Sequence, residues 1–339
     1  MKIAILTPTF KYDSGIDRVV QQQAESYAKK GDEVVVIALK ANIKPKGYKV
    51  ITLGMPKNIF LQRIYRLLFF LDFKKINYYK KLKNYDKIIS HFYPMNWLAY
   101  KAKKHYNIDY IYWNHSINIE FKKSLLHNIY MQFLIPFNNI TIKNVDKAFS
   151  VSKWAKKELK EQSGIDSKVQ YIKVDKKRFN KNIKGDSIIK KYNLENKKVF
   201  LYVGRIAPHK RIEVIIKSFI DRKEHGPESK LIIVGGNSGF NRYYKKLRRM
   251  ADKDVIFTGF VPDEELPYYY AACDVYVTAS SWECFNIPVA EAQACGKPVI
   301  AFDIGAHPEV VDKKKGSVLV PEGKREEFAN SMFKFAKSV

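Results

Sequence analysis

Glu283 and Glu291 stand eight residues apart in the segment 274–309, DVYVTASSWECFNIPVAEAQACGKPVIAFDIGAHPE. A strand expected over 275–278 runs through a polar loop, which holds Glu283, into a helix that opens near Pro288 and stops at Gly296. Glu291 then falls in the first helical turn. Two carboxylates beside a helix N-terminus can accept hydrogen bonds from sugar hydroxyls, and the amides of Phe285, Asn286 and Ile287 can meet a phosphate. The competing reading leaves Glu283 solvated and makes Glu291 a complement to the helix dipole. A second cluster, Gly204-Arg205-Ile-Ala-Pro-His-Lys210-Arg211, follows a strand expected over 198–203. There the glycine permits a tight turn, while the planar fork of Arg205 and the mobile charge of Lys210 suit a diphosphate. Solvated surface cations are the alternative; the position just after a strand favours the diphosphate. The first loop, 7–18, lacks GxGxxG and has one glycine, Gly15, before a helix. That fits an anion at the helix N-terminus and a plain turn equally.

Such residues need strands and helices to place them. Short β-branched runs alternate with longer helical patterns in both halves, the pattern of parallel sheets with crossover helices. Strands are expected over 2–7, 33–39, 48–53, 87–90, 110–113, 147–151 and 169–174, and again over 198–203, 231–234, 255–258, 275–278, 298–302 and 317–320. Helical stretches are expected over 15–30, 61–83 and 152–162. The Lys/Asn-rich stretch 175–198 shows no apolar period and reads as a linker between domains 1–175 and 176–339. Two doubly wound α/β domains joined there would face each other across a cleft lined by loops at the carboxyl ends of both sheets.

Lys and Arg number 61 against 34 Asp and Glu, a net charge of +27, which points to nucleic acid, a phosphorylated substrate or an acidic membrane surface. Residues 1–175 hold 31 basic and 14 acidic residues, so the anionic partner is expected on the first half. Leu61–Tyr85 sets seven basic residues against one acidic and interleaves them with Leu, Ile, Phe and Tyr. A basic aromatic helix of this kind suits an anionic bilayer; a domain helix with one buried face is the alternative. Nucleic acid could meet the same charge, but no zinc finger, RNP motif or helix-turn-helix supports that. Cys273, Cys284 and Cys295 are odd in number and form no CxxC, so they read as buried small hydrophobes in a reducing compartment. MKIAILTPTF reaches Pro8 too soon for a signal peptide, and no apolar run approaches the ~20 residues of a membrane span. A cytoplasmic location is expected. His115 and His91 each follow a strand, whereas His105, His127 and His225 read as surface or core. Asp252-Lys-Asp254 has the spacing of an Asp-x-Asp metal motif but precedes its strand, on the wrong side of the sheet, and no metal is expected.

The two clusters together resemble retaining glycosyltransferase family 4, whose signature is Glu-x7-Glu preceded by a strand-terminal Gly-Arg and a Lys. The matching residues are Gly204, Arg205, Lys210, Glu283 and Glu291, supported by VSKWAKKELKE (151–161), VDKKRF (174–179), LIIVGG (231–236), FTGFVPDEELPYYYAACDVYV (257–277) and IGAHPEVV (304–311). The resemblance implies the GT-B fold, with an acceptor-binding Rossmann-like domain followed by a donor-binding one. It implies that Glu291 holds ribose hydroxyls, Arg205 and Lys210 the diphosphate, and Glu283 the donor sugar. His115 would face that sugar, the amides of Phe285 and Asn286 would approach it, and Gly15 would line the first loop. The implied reaction is metal-independent, retaining transfer of a hexose from a UDP- or GDP-linked donor to a glycan or lipid-linked acceptor, by front-side attack. A sugar-nucleotide epimerase or phosphorylase on the same fold, and more remotely a nucleic-acid-binding module, are the alternatives. The sequence departs from the family pattern at Asn286 and Arg211, where the family has glycine, and at Ser14, beside Gly15; its C-terminal helix is expected to be short or absent.

Overall fold

A computed structural model describes residues 1–11, 15–116, 125–223, 226–237 and 239–337. The chain divides into two compact units, Met1–Tyr171 and Ile172–Val339.

In the first unit the strands are β1 (Lys2–Phe10), β2 (Glu33–Ala41), β3 (Lys49–Thr52), β4 (Lys87–Ser90), β5 (Asp109–Asn114), β6 (Lys147–Ser150) and β7 (Lys168–Val169). All pair in parallel, in the order β3-β2-β1-β4-β5-β6-β7. Alternate residues of β1 enter different cores: Ala4 and Leu6 pack on one face, Ile3 and Ile5 on the other. That double burial explains why the strands read as continuous apolar runs. The helices are α1 (Gly15–Ala28), α2 (Ile59–Leu67), α3 (Phe73–Ile76), α4 (Asn96–Tyr106), α5 (Leu125–Ile142) and α6 (Lys153–Ser163). Ser152 caps α6, its Oγ accepting from Ala155 N at 2.9 Å.

Two expectations change here. Strand β7 spans two residues, not six. The single helix expected over 61–83 is broken into α2, a 3₁₀ turn Phe69–Leu71, α3 and a second 3₁₀ stretch Asn77–Leu82. Asp72 restarts the chain by accepting from Lys75 N at 3.1 Å. Phe69, Ile76, Tyr79 and Leu82 turn into the core, while Phe73 is 69% exposed.

The second unit carries β8 (Lys198–Val203), β9 (Ser229–Val234), β10 (Val255–Gly259), β11 (Val275–Thr278), β12 (Val299–Asp303) and β13 (Val318–Pro321), all parallel, in the order β10-β9-β8-β11-β12-β13. This is the doubly wound order, reversing between β8 and β11. Its helices are α7 (Asp186–Tyr192), α8 (Ile212–Lys223), α9 (Asn241–Met250), α10 (Leu266–Ala272), α11 (Ile287–Ala294), α12 (His307–Val310) and α13 (Arg325–Lys337), with α13 lying against α8. The stretch expected to be a linker belongs to this unit. Phe179, Ile188 and Leu194 are buried in its core, and Arg178 pairs with Asp263 at 2.7 Å.

Candidate active site

The chemistry-bearing residues of the second unit meet where its strand order reverses, beyond the carboxyl ends of β8 and β11. Gly204 continues β8 at φ +154°, its N–H donating to Val234 O at 2.9 Å. A Cβ on Gly235, at the end of β9, would lie 1.9 Å from Gly204 O, so the two strand ends touch backbone to backbone. The buried phenols of Tyr202 and Tyr276 donate to Arg205 O (3.1 Å) and Val203 O (3.2 Å), fixing the path of the chain. Arg205 emerges exposed, with no ion pair among the described residues. A 3₁₀ turn, Pro208–Lys210, then returns Lys210 to the site, where its Nζ donates to Glu283 Oε1 at 2.5 Å.

Glu283 is 6% exposed and doubly held. Ser280 Oγ donates to the same Oε1 at 2.8 Å, and the Glu283 carbonyl accepts from Ala306 N at 3.0 Å. Burial alone would push this carboxyl up; the Lys210 ammonium, helped by the Ser280 hydroxyl, outweighs that and holds it below the usual glutamate range. It is therefore a buried carboxylate facing a half-buried ammonium, and not the solvated loop charge of the competing reading. Glu291 sits in the second turn of α11, not the first, and is 2% exposed. It accepts from the buried Tyr270 Oη at 2.9 Å, so it is no mere dipole complement.

Both positions where the family has glycine use left-handed backbone. Asn286 has φ +68° and precedes α11; Arg211 has φ +46° and closes the 3₁₀ turn. The Asn286 side chain does not cap the helix. Its Nδ2 lies 2.9 Å from His307 Nε2, and His307 Nδ1 lies 2.7 Å from Phe302 O. A carbonyl only accepts, so Nδ1 carries the proton and Nε2 accepts from Asn286. Burial, the largest influence, lowers the His307 pKa and keeps this ring neutral. Phe285 and Ile287 are buried beside this turn.

In the first unit Gly15 opens α1 and is exposed; Ser14 lies outside the described residues. The end of β1 is tied to α1 by a residue with no sequence signal beyond its place in the first helical turn. Asp17, 1% exposed, accepts from Lys11 N at 2.9 Å and Thr9 Oγ1 at 3.3 Å. His115 is buried, and burial pulls its pKa down to about 3. Its Nε2 is 3.0 Å from His91 Nδ1, and His91 Nε2 is 2.9 Å from Gln23 Oε1. Burial first, and His115 second, drive His91 well below the ordinary histidine range. The rings stack 5.3 Å apart, so these two neutral histidines form one unit. Adjacent strand ends, β4 and β5, were the signal that paired them. His105 stacks on Tyr79 at 5.0 Å, and His225 and the His127 side chain lie outside the described residues.

Asp254 pairs with Lys230 at 2.7 Å and Asp252 Oδ1 accepts from Asp254 N, both before β10 at its amino end. Cys273 and Cys295 are buried, Cys284 half-buried, and all three are free thiols. The arrangement offers an exposed guanidinium and a half-buried ammonium for an anion, with two buried carboxylates for hydroxyl groups, at the edge of an open α/β sheet where ligands bind.

The model for Glycosyltransferase Family 4 matches residues 14–173 and that for Glycosyl transferases group 1 matches 185–338, together spanning nearly the whole chain. The chain belongs to glycosyltransferase family 4. This family 4 chain is 32% identical over 127 residues to O-antigen chain mannosyltransferase B of Escherichia coli, covering 37% of this chain and 33% of the relative. It is 33% identical over 142 residues to the GDP-mannose-dependent alpha-(1-6)-phosphatidylinositol monomannoside mannosyltransferase of Mycolicibacterium smegmatis, covering 38% and 36%. The matches thus span about a third of the length of these curated relatives. Sucrose-phosphate synthase of Thermosynechococcus elongatus has the same fold, with TM-score 0.83 at 20% identity, covering 99% of this chain and 91% of that one. Anabaena HepE in complex with UDP-glucose gives TM-score 0.77 at 20% identity, covering 97% and 88%. The fold of this family 4 chain is GT-B, built from two Rossmann-like parallel-sheet units.

Proposed function

We propose that this chain transfers a hexose from a UDP- or GDP-linked donor to a glycan or lipid-linked acceptor, with retention at the anomeric carbon and without a metal. The observation that carries the proposal is the 2.5 Å Lys210–Glu283 pair at the strand-order reversal, with Arg205, which has no ion pair among the described residues, exposed just after β8. Arg205 and Lys210 take the diphosphate, Glu283 the donor sugar and Glu291 the ribose. As the bond from the anomeric carbon to the phosphate oxygen breaks, its electron pair goes to the diphosphate. Fixed cations stabilise that growing charge more in the transition state than in the ground state. The acceptor oxygen bonds to the anomeric carbon from the face the phosphate leaves, and its proton passes to the departing phosphate oxygen. No protein nucleophile is required. His115, held neutral by burial, is the first unit's candidate hydrogen-bonding group for a sugar. HepE is described in complex with UDP-glucose, which supports a nucleotide-linked donor here.

The test is donor turnover with UDP- and GDP-hexoses in excess EDTA, with and without a glycan acceptor panel. Acceptor-dependent release of nucleoside diphosphate in EDTA is expected. Turnover without acceptor would instead mark an epimerase, and abolition by EDTA with rescue by magnesium or manganese would overturn metal independence.

The acceptor reading includes an anionic membrane surface, reached from the cytoplasmic side through Leu61–Tyr85. No helix among the described residues is long and apolar enough to cross a membrane. In support, Leu61 and Ile64 are exposed along one face of α2, and Leu68, Leu71 and Phe73 beyond it continue that exposure. Lys74, Lys80, Lys81 and Lys83 are exposed nearby, whereas Lys75 is committed to Asp72 at 2.8 Å. Replacing those four exposed lysines by Gln is expected to release the protein from phosphatidylglycerol vesicles at low salt, since each contributes about 1 kcal/mol near an anionic surface. Wild-type protein that stays in the supernatant at low salt would contradict the membrane reading.

A further inference from the structure

Helix α2 has a second face. Arg63 and Arg66 lie one turn apart on the side opposite Leu61, Ile64 and Leu68. Arg63 is exposed and Arg66 half-buried, and the Arg66 Nε is sealed from solvent with no hydrogen-bond partner among the described residues. Two half-buried cations of the same unit are paired, Lys75 with Asp72 at 2.8 Å and Lys103 with Asp146 at 2.7 Å. The groups acting on Arg66 are Tyr130 of α5, Asp17 of α1 and Arg63. Asp17 is already spent on Lys11 N and Thr9 Oγ1. Burial of the guanidinium is the largest influence on it and lowers its pKa, though an arginine keeps its charge. A charged fork that is desolvated and left unpaired destabilises the protein unless an anion completes it. The place is also one where ligands gather. Asp17 lies just after β1, and the strand order of the first sheet reverses between β1 and β4.

We propose that Arg66, with Arg63 one turn away, is a phosphate-binding element of the first unit, and that the acceptor therefore carries a phosphate group. This rests on the transferase reading for its meaning, but the binding itself does not. A phosphate offers several oxygens to a guanidinium fork, and its charge matches two arginines better than a carboxylate would. The group could belong to a lipid phosphate ester or to a free phosphate.

Calorimetric titration of the full chain with inorganic phosphate, hexyl phosphate and hexyl glucoside tests this, comparing wild type with Arg66→Gln and Arg66→Lys. Phosphate sites elsewhere on the chain are common to all three proteins, so the difference between them is what is read. Hexyl phosphate is expected to bind the wild type, to weaken at least tenfold in Arg66→Gln, and to weaken less in Arg66→Lys; hexyl glucoside should not respond to either change. Equal affinity for inorganic and hexyl phosphate would assign the site to the free anion, and tighter hexyl phosphate to an esterified, lipid-like acceptor. The ligand-free melting temperature of Arg66→Gln should equal or exceed that of the wild type, because an unpaired buried cation has been removed; a purely structural arginine would lower it. Identical titrations of wild type and Arg66→Gln, or no phosphate binding by the wild type, would overturn the proposal. Binding of UDP and GDP measured on the same samples keeps the two claims apart, since its loss would condemn the donor site and leave Arg66 untouched.

Discussion

Lys210→Ala is expected to lower turnover by roughly 10²–10³-fold, the scale for removing one preorganised charge stabiliser. Two effects combine in that number. The diphosphate loses a cation as its charge grows, and Glu283 loses the ammonium 2.5 Å from Oε1 that outweighs its burial. An uncompensated buried carboxylate costs about 3–5 kcal/mol, so the variant should also melt earlier. The pH dependence follows from the sign of the Glu283 shift. Its folded-state pKa lies below the ordinary glutamate value, so its contribution is present above that value and fades as pH falls through the lowered one. In Lys210→Ala burial prevails, the carboxyl rises, and the acid limb of activity should move to higher pH. Arg205→Ala provides the contrast. Arg205 is exposed and unpaired among the described residues, so turnover should fall roughly 10²-fold while stability stays within about 0.5 kcal/mol. Steady-state rates and thermal melts of both variants check this. Near-normal rates in both, with folding intact, would remove them from the reaction.

Gly305→Ala should be nearly as damaging although residue 305 carries no chemistry. Gly305 has φ +51°, and a Cβ there would lie 2.3 Å from Glu283 O, against backbone that cannot step aside. The next residue, Ala306, donates to that same carbonyl at 3.0 Å. Inserting a methyl group forces the Glu283 backbone out of the position from which its side chain meets Lys210. Strain and overpacking together should cost about 2–4 kcal/mol, and an ångström of displacement at the reacting centre about 10²-fold in turnover. Gly316→Ala is the control. It also has positive φ, +76°, but a Cβ there meets nothing within 4 Å. It should cost only the backbone strain, about 1–2 kcal/mol, with turnover unchanged. Equal effects of the two substitutions on turnover would show that Glu283 needs no such support.

The parallel sheets were legible because strands buried on both faces must be apolar throughout, and such runs stand out between helices. The helix α7 was not. Phe179, Ile188 and Leu194 anchor its segment to the second core, but they lie among lysines and asparagines at spacings that match no single helical face. The break in 61–85 was hidden likewise, since Asp72 reads as a lone charge until its carboxylate is seen accepting from Lys75 N. At the site, Arg205, Lys210, Glu283 and Glu291 could be found because position after a strand is a sequence property. The pairing of Lys210 with Glu283 could not, since 73 residues separate them and only the adjacency of β8 and β11 brings them together. Asn286 shows the same limit. Its tolerance of positive φ was readable, whereas its bond to His307 depends on how the turn after β12 folds back.

The most direct measurement is a thermal-shift titration of the wild type and Arg205→Ala with UDP, GDP and their hexose conjugates. Ligand that binds only the folded state adds about 2.7 kcal/mol of stability at a concentration a hundred times its Kd. One nucleoside diphosphate and its sugar conjugate should raise the wild-type melting temperature, with at least tenfold more ligand needed for the same rise in Arg205→Ala. A wild-type melting temperature indifferent to every one of these ligands, or a rise of the same size at the same concentrations in Arg205→Ala, would contradict the assignment of a nucleotide-sugar donor to the Arg205–Lys210–Glu283 site.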